Sequence, residues 1–377
     1  MSEAKAKEMV VAIKELSTQL GVSDFEVEIR HITLSRFSKL LDPEDFKLVA
    51  LEHAEPYCHT LGTPISTADR LDYLGTGSLL LGAPGFEHLF MLTAHHVVNS
   101  DPEARLDPSN SENRSPVRIG TAKTYEKDRR LIDMVLGDHE ATLSRLAERK
   151  SRGMVTRMDK LEGQQARSEK AKLGPWRKRL EAEYGTEELR TFGHTFAYPE
   201  MRPGVNADQS TPLDFAEDWA LIQTDIQRSA KNLNVMNLWN WRAAFHYELD
   251  PRLRSCRYLR LDGFLSSEDL AARSHNVLKT GAATGITTGI TNPLKSFVRY
   301  HQAWSLEQGV LAVSECGGSF SAPSDSGSTI IDNQGRVCGL LTSGVGSRLG
   351  WADISYFTPM WWIMERMRLF GLDPSII

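Results

Sequence analysis

Three short stretches of this 377-residue chain carry side chains that could do chemistry together. "MLTAHHVVN" sets His95 and His96 directly after an apolar run and a Thr-Ala pair. "EDWALIQTD" sets Asp218 immediately before another apolar run, and "SAPSDSGSTII" sets Ser326 among small residues ahead of a third. A serine hydroxyl is a weak nucleophile at neutral pH and needs a neighbouring base. A histidine can be that base, and an acidic group behind it fixes the imidazole tautomer. A tight turn of small residues can also present backbone N–H groups to a developing oxyanion. The residue types for acyl transfer through serine thus occur in the order His, Asp, Ser. Taken alone each is weak, since a loop serine is normally a turn residue. Adjacent histidines leave a strand in different directions and no second cluster has zinc-ligand spacing, so no metal and no cofactor is expected.

The elements that must position these residues read as strands. From about 63 to 120, short apolar runs broken by Gly, Pro and Asn ("YLGTGSLLLG", "HLFMLTAHHVVN", "SPVRIGTA") predict an antiparallel β domain. "TFGHTFAY" and "WALIQTD" continue it, an Asn- and Trp-rich linker follows near 231–245, and a second β-patterned region runs from about 256 to 358. Between about 122 and 190 apolar residues recur at helical spacing (Leu136, Leu143, Leu146, Met154, Met158, Leu161). This predicts two helices inserted into the first β region and broken at Gly174-Pro175. The segment before 63 alternates a helical pattern (Met9, Val10, Ile13, Leu16, Leu20) with the strand-like "FEVEIRHITL", and "PMWWIMERMRLF" predicts an amphipathic helix at the end.

Composition narrows the class. With 41% hydrophobic and 25% charged residues and a net charge of -5, the chain reads as a soluble globular protein with no general bias toward a polyanion. Cys58, Cys256, Cys316 and Cys338 show no C-x-x-C pair and predict free, buried thiols. The first 20 residues mix Glu with Lys and have no unbroken apolar core, so they read as an amphipathic helix rather than a signal peptide. No apolar run approaches the roughly 18 residues of a membrane span. A cytoplasmic or nuclear setting without a membrane partner is expected. Locally, residues 145–179 hold twelve Lys and Arg against four Asp and Glu. That pattern suits an exposed helical pair packed on its own barrel, or a docking surface for an acidic protein partner. Without interleaved aromatics, nucleic acid is not an expected partner.

At these residues the chain resembles the trypsin/chymotrypsin-like serine peptidases, and more closely their cysteine-poor members of bacterial, high-temperature-requirement or fungal intracellular type. Thr93-Ala94-His95-His96 is similar to the family's T-A-A-H, Asp218-Trp219-Ala220-Leu221 to D-I-A-L, and Ser324-Asp325-Ser326-Gly327-Ser328 to G-D-S-G-G. "GTGSLLL", "KTGAATGITTGIT" and "GLLTSG" resemble further family strands in the same order, so the matches cover roughly residues 70–120 and 190–365.

The resemblance implies a mostly β fold of two six-stranded Greek-key barrels, with a helical N-terminal segment, a long helical insertion and a C-terminal helix. Its divisions would be residues 1–62 as an accessory segment, 63–230 as the first barrel with the insertion at about 122–190, and 231–377 as the second barrel with the terminal helix. It implies His96 as general base, Asp218 as orienting acid and Ser326 as nucleophile, with the N–H groups of Ser324 and Ser326 as the oxyanion hole. His95 competes with His96, and Asp214 and Glu217 compete with Asp218. Phe320 and Ser321 would form the floor of the substrate pocket and Thr342, Ser343 and Gly344 its walls, favouring a small or medium apolar side chain of a peptide or protein substrate.

Two of the departures from the pattern bear on the serine loop, and a third, the 122-residue gap between His96 and Asp218, is accounted for by the helical insertion. Ser324 stands where the family has Gly, and Ala282 replaces the Arg of K-S-G-R-T-T-G, so Asp325 needs another partner. These departures keep a second reading open, that of a catalytically weak or inactive fold acting as a peptide-binding or scaffold protein.

Overall fold

The structure is a computed structural model that describes residues 3–19, 35–36, 61–70, 72–202, 214–227, 233–238, 258–300, 303–313, 319–345 and 354–377. The strand expected at "FEVEIRHITL", most of the 231–245 linker, and Cys58, Cys256 and Cys316 lie outside the described residues. Residues 1–35 form a unit of their own, in which helix α1 (Glu3–Gln19) exposes Val11 and Ile13.

In chain order the remaining elements begin with β1 (Ser35–Arg36), β2 (Thr63–Thr67), β3 (Gly75–Gly77), β4 (Leu80–Gly82), β5 (His88–Thr93), α2 (His95–Val98) and β6 (Pro116–Ile119). They continue with α3 (Ala122–Ser151), α4 (Arg157–Tyr184), α5 (Glu187–Arg190), β7 (Thr191–Ala197), β8 (Ala220–Gln227), β9 (Val235–Asn237), β10 (Tyr258–Arg260) and α6 (Ser267–Ala272). The last are β11 (Asn276–Gly281), β12 (Gly285–Tyr300), β13 (Ala303–Ala312), β14 (Thr329–Asp332), β15 (Val337–Val345), β16 (Ile354–Pro359), α7 (Met360–Leu369) and β17 (Ser375–Ile376).

Two large antiparallel sheets result, beside a small one of β9 and β10 alone. One is a curled, eight-stranded sheet in the order β17-β4-β5-β8-β7-β6-β2-β3. In the other, strands run β15-β14-β11-β12-β13-β16, and a further β15–β16 pairing closes them into a six-stranded barrel. The fold is therefore mostly β and of the expected two-barrel class, with one barrel closed and the other a curled half-barrel. Closure removes sheet edges that would otherwise expose unpaired backbone groups. Phe90, Leu92, Trp219, Leu221 and Ile222 belong to the larger buried apolar cluster, and Val277, Val310, Phe320, Ile330, Leu341 and Phe357 to a second one.

The helical insertion joins β6 to β7, but its break differs from expectation. α4 runs through Pro175 from Arg157 to Tyr184. The chain turns instead at Gly153, which holds φ +70 just after α3, and restarts where Thr156 and Asp159 form a capping box. A glycine past a helix end and a Thr cap are strong local signals. The proline is accommodated where Leu173, Trp176 and Leu180 pack with Ile132 and Ile119, so tertiary contact overrides propensity. Leu146 is buried as its spacing predicts, whereas Met154, Met158 and Leu161 are exposed at the hairpin tip.

Candidate active site

Strand register brings the base and the acid together across 122 residues of sequence. Thr93, the last residue of β5, pairs with Ala220, the first of β8. In an antiparallel ladder the exit of one strand adjoins the entry of its neighbour. His96 follows β5 on the short α2 and Asp218 precedes β8, so both fall at the same end of the sheet. The Asp218 carboxylate accepts from the His96 ring Nδ1 at 2.8 Å through Oδ2, and Oδ1 accepts the His96 backbone N–H at 3.1 Å. The His96 carbonyl is held in turn by the Arg70 guanidinium at 2.6 Å. Both side chains are buried, and among the described residues His96 Nε2 has no hydrogen-bond partner.

The competing groups are occupied elsewhere. The His95 ring lies 4.7 Å from that of Tyr198 and is fully buried. Glu217 is paired with Arg366 and accepts from Trp219 Nε1 at 2.8 Å. Burial pushes its carboxyl pKa up, with Arg366 and Trp219 opposing the shift. Asp214 accepts the Phe215 N–H at 2.8 Å.

Ser326 sits on the loop before β14, and that loop is pegged by Asp325. Asp325 accepts from Lys279 Nζ at 3.0 Å, Thr284 Oγ1 at 2.6 Å and the backbone N–H groups of Ala322, Ala283 and Thr284. Lys279 is the partner that the absent arginine left unassigned. Its burial lowers the ammonium pKa, and Asp325 opposes the shift. The signal in the sequence was a lysine directly after Val277 and Leu278 in "NVLKTG", which a buried strand tolerates only with a counter-charge. The loop also docks on the first sheet: Thr76 N–H donates to the Ser326 carbonyl at 2.9 Å and Thr76 Oγ1 to the Ser324 carbonyl at 2.8 Å. Gly327, at φ +91, leaves no room for a Cβ, which would stand 2.0 Å from the Thr76 carbonyl oxygen and 2.4 Å from Thr93 Oγ1. The residue after Ser326 is thereby packed against Thr93, at the end of β5.

Ser326 Oγ donates to the Thr342 carbonyl at 3.1 Å. That carbonyl is free to accept because the β15–β16 register slips between Leu341 and Ser343, leaving Thr342 outside the regular ladder. Ser326 Oγ and His96 Nε2 are thus not hydrogen-bonded to each other. Ser324, two residues before Ser326, holds φ +85, a conformation that costs a side-chain-bearing residue about 1–2 kcal/mol. Its Oγ is buried without a partner, a further cost of about 1–3 kcal/mol.

Of the expected pocket residues, Phe320 is wholly buried in the second barrel's apolar cluster, with its carbonyl accepting from Thr287 Oγ1 at 2.6 Å. Ser321 Oγ and Ser355 Oγ share a hydrogen bond of 2.6 Å, Thr342 Oγ1 donates to the Tyr356 carbonyl at 3.4 Å, and Gly344 pairs with Ser355. A cavity of about 760 Å³ lies elsewhere, lined by residues that include Arg260, Asp262, Phe264 and Arg368. Among the described residues no group of three His, Cys, Asp or Glu is placed to hold a metal ion, and no helix is long and apolar enough to cross a membrane.

The fold is similar to that of solved chymotrypsin-like serine proteases. Nocardiopsis protease is 11% identical over 84% of this chain and 98% of its own, with a TM-score of 0.40. Cellulomonas bogoriensis chymotrypsin is 13% identical over the same shares, with a TM-score of 0.39. Thermobifida fusca protease A is 12% identical over 84% of this chain and 98% of its own, with a TM-score of 0.37. No family profile matches the sequence, and neither does any curated protein.

Proposed function

We propose that the protein is a serine endopeptidase of chymotrypsin-like fold that cleaves peptide bonds through an acyl-enzyme on Ser326. The observation that carries the reading is the Asp218 grip on His96 Nδ1, which leaves Nε2 buried, without a partner and available to take a proton. In this reading Ser326 Oγ bonds to the scissile carbonyl carbon while its proton passes to His96 Nε2 and the carbonyl π pair moves onto oxygen. Collapse of that oxyanion breaks the C–N bond, and the amine leaves with the proton from His96. Water, deprotonated by the same imidazole, then repeats the addition and releases the acid from the restored serine. Asp218 stabilises the imidazolium formed in each half. The N–H groups of Ser324 and Ser326 receive the oxyanion, and Thr342, Ser343 and Gly344 flank the substrate chain.

The substrate is a peptide or protein, with a small or medium apolar residue before the cleaved bond, and the chemistry requires no cofactor. The setting is cytoplasmic or nuclear. The helices over 145–179 offer Lys150, Arg157 and Lys160 to an acidic protein partner, since the neighbouring carboxylates Glu148, Asp159 and Glu162 are already paired with arginines.

A fluorophosphonate probe tests the reading. It should label the wild type and fail to label Ser326→Ala, with His96→Ala slowed by orders of magnitude. Equal labelling of wild type and Ser326→Ala defeats it, and peptide binding without any labelling favours a catalytically inactive, peptide-binding scaffold.

A further inference from the structure

We propose that the hydroxyl of Ser324, as distinct from its backbone N–H, donates a hydrogen bond to the substrate's carbonyl oxygen as that oxygen becomes anionic. The inference rests on the reading of Ser326 as nucleophile.

Among the described residues Ser324 Oγ has no hydrogen-bond partner, and it is a buried polar atom on a residue 1% exposed. Relaxation of the loop cannot easily satisfy it, because the peptide unit that follows Ser324 is tied down at both its carbonyl and its N–H. The Ser324 carbonyl accepts from Thr76 Oγ1 at 2.8 Å, and the next residue's N–H is bonded to the Ala322 carbonyl at 3.0 Å. A glycine would adopt φ +85 freely and bring no hydroxyl to bury. The position therefore carries two unfavourable features that a smaller residue would remove, two residues from the serine read as nucleophile. Strain of this kind clusters where a site is shaped for a bound ligand.

Among the described residues, His96 Nε2 is a second buried polar atom of the site with no hydrogen-bond partner. Addition of a serine to a carbonyl changes charge in two places: the hydroxyl proton must be accepted, and the carbonyl oxygen must be stabilised as it gains the electron pair. Nε2 is an acceptor suited to the first. A serine hydroxyl, whose proton rotates to meet an acceptor, suits the second. Pre-placed donors act most strongly where charge develops in a site screened from water.

The test compares Ser324→Ala and Ser324→Gly with the wild type in steady-state peptide hydrolysis. Affinity for a peptide aldehyde, which forms a tetrahedral adduct on Ser326, and thermal stability are measured alongside. Loss of a donor to the oxyanion predicts that both variants lose about 10²-fold in kcat with KM nearly unchanged. The aldehyde should weaken in parallel, binding of the cleaved product peptide should be unaffected, and the melting temperature should hold or rise. If Ser324→Gly turns over as fast as the wild type or faster, the side chain is an obstruction and the inference is overturned while the peptidase reading stands. A kcat loss that tracks a fall in melting temperature, with aldehyde and product affinities falling together, overturns it in favour of a packing role. A wild type that neither hydrolyses peptides nor reacts with the fluorophosphonate probe removes the peptidase reading and this inference with it.

Discussion

Lys279 Nζ lies 3.0 Å from Asp325 Oδ2, and neither side chain has any solvent exposure. The pair joins two elements distant in sequence: the β11–β12 hairpin, which carries Lys279 and the turn residues Ala283 and Thr284, and the loop that carries Ser326. Since Asp325 also takes the N–H groups of Ala283 and Thr284, the hairpin turn grips the carboxylate on both oxygens. The residue immediately before Ser326 is thus fixed by the second barrel, while Thr76 of the first sheet fixes the carbonyls of Ser324 and Ser326.

Replacing Lys279 by Met should expose the cost of that arrangement. The methionine fills most of the volume but leaves the Asp325 charge buried without its cation, which typically costs about 3–5 kcal/mol. Urea unfolding of Lys279→Met should show a loss of that size, and adding Asp325→Asn should recover much of it. A loss below about 1 kcal/mol, the range of exposed pairs, would mean that the pair does not hold the loop.

Asp218 and Glu217 are adjacent carboxylates in different surroundings, and mutation should separate them. Asp218→Asn keeps the shape but offers His96 an amide in place of a carboxylate. It should lower kcat by about 10⁴-fold with little change in KM. Glu217→Gln, which faces Arg366 and Trp219 rather than a histidine, should leave turnover close to wild type and act on stability alone. Equal effects on turnover from the two variants would contradict the assignment of Asp218.

Much of this was legible in the residues themselves. An apolar strand followed by Thr-Ala-His-His and an acid abutting another strand are local patterns, and pairing β5 with β8 is enough to make His96 and Asp218 meet. The antiparallel β regions were readable in short, turn-punctuated apolar runs, whereas the two-barrel arrangement came from the family resemblance. What could not be read is what depends on a distant partner. The partner of Lys279, Asp325, lies 46 residues further along the chain. Pro175 looked like a helix break, yet α4 passes through it because Leu173 and Leu180 are buried on either side. Met154, Met158 and Leu161 share the spacing of Leu146, but periodicity does not tell how far a hairpin extends beyond the surface it packs on.

Gly281 provides the sharpest steric test of the loop's rigidity. A Cβ there would lie 2.3 Å from Asp325 Oδ1, 2.7 Å from its Cγ and 2.9 Å from Ser328 Oγ. A flexible side chain would yield to such an intrusion, but Asp325 is held by five donors and Ser328 Oγ by the Asp325 carbonyl at 2.6 Å, so the strain must pass into the backbone around Ser326. Overpacking of this kind costs about 1–3 kcal/mol. Gly281→Ala should therefore lose stability in that range and lose kcat beyond what the unfolded fraction explains. Gly137 is the control, since it lies inside α3 with nothing within 4 Å of its added Cβ. Gly137→Ala should gain about 0.5–1 kcal/mol from reduced backbone freedom and leave turnover unchanged. If Gly281→Ala behaves like this control, Asp325 moves more readily than its hydrogen bonds imply, and the hairpin does not govern the position of the serine.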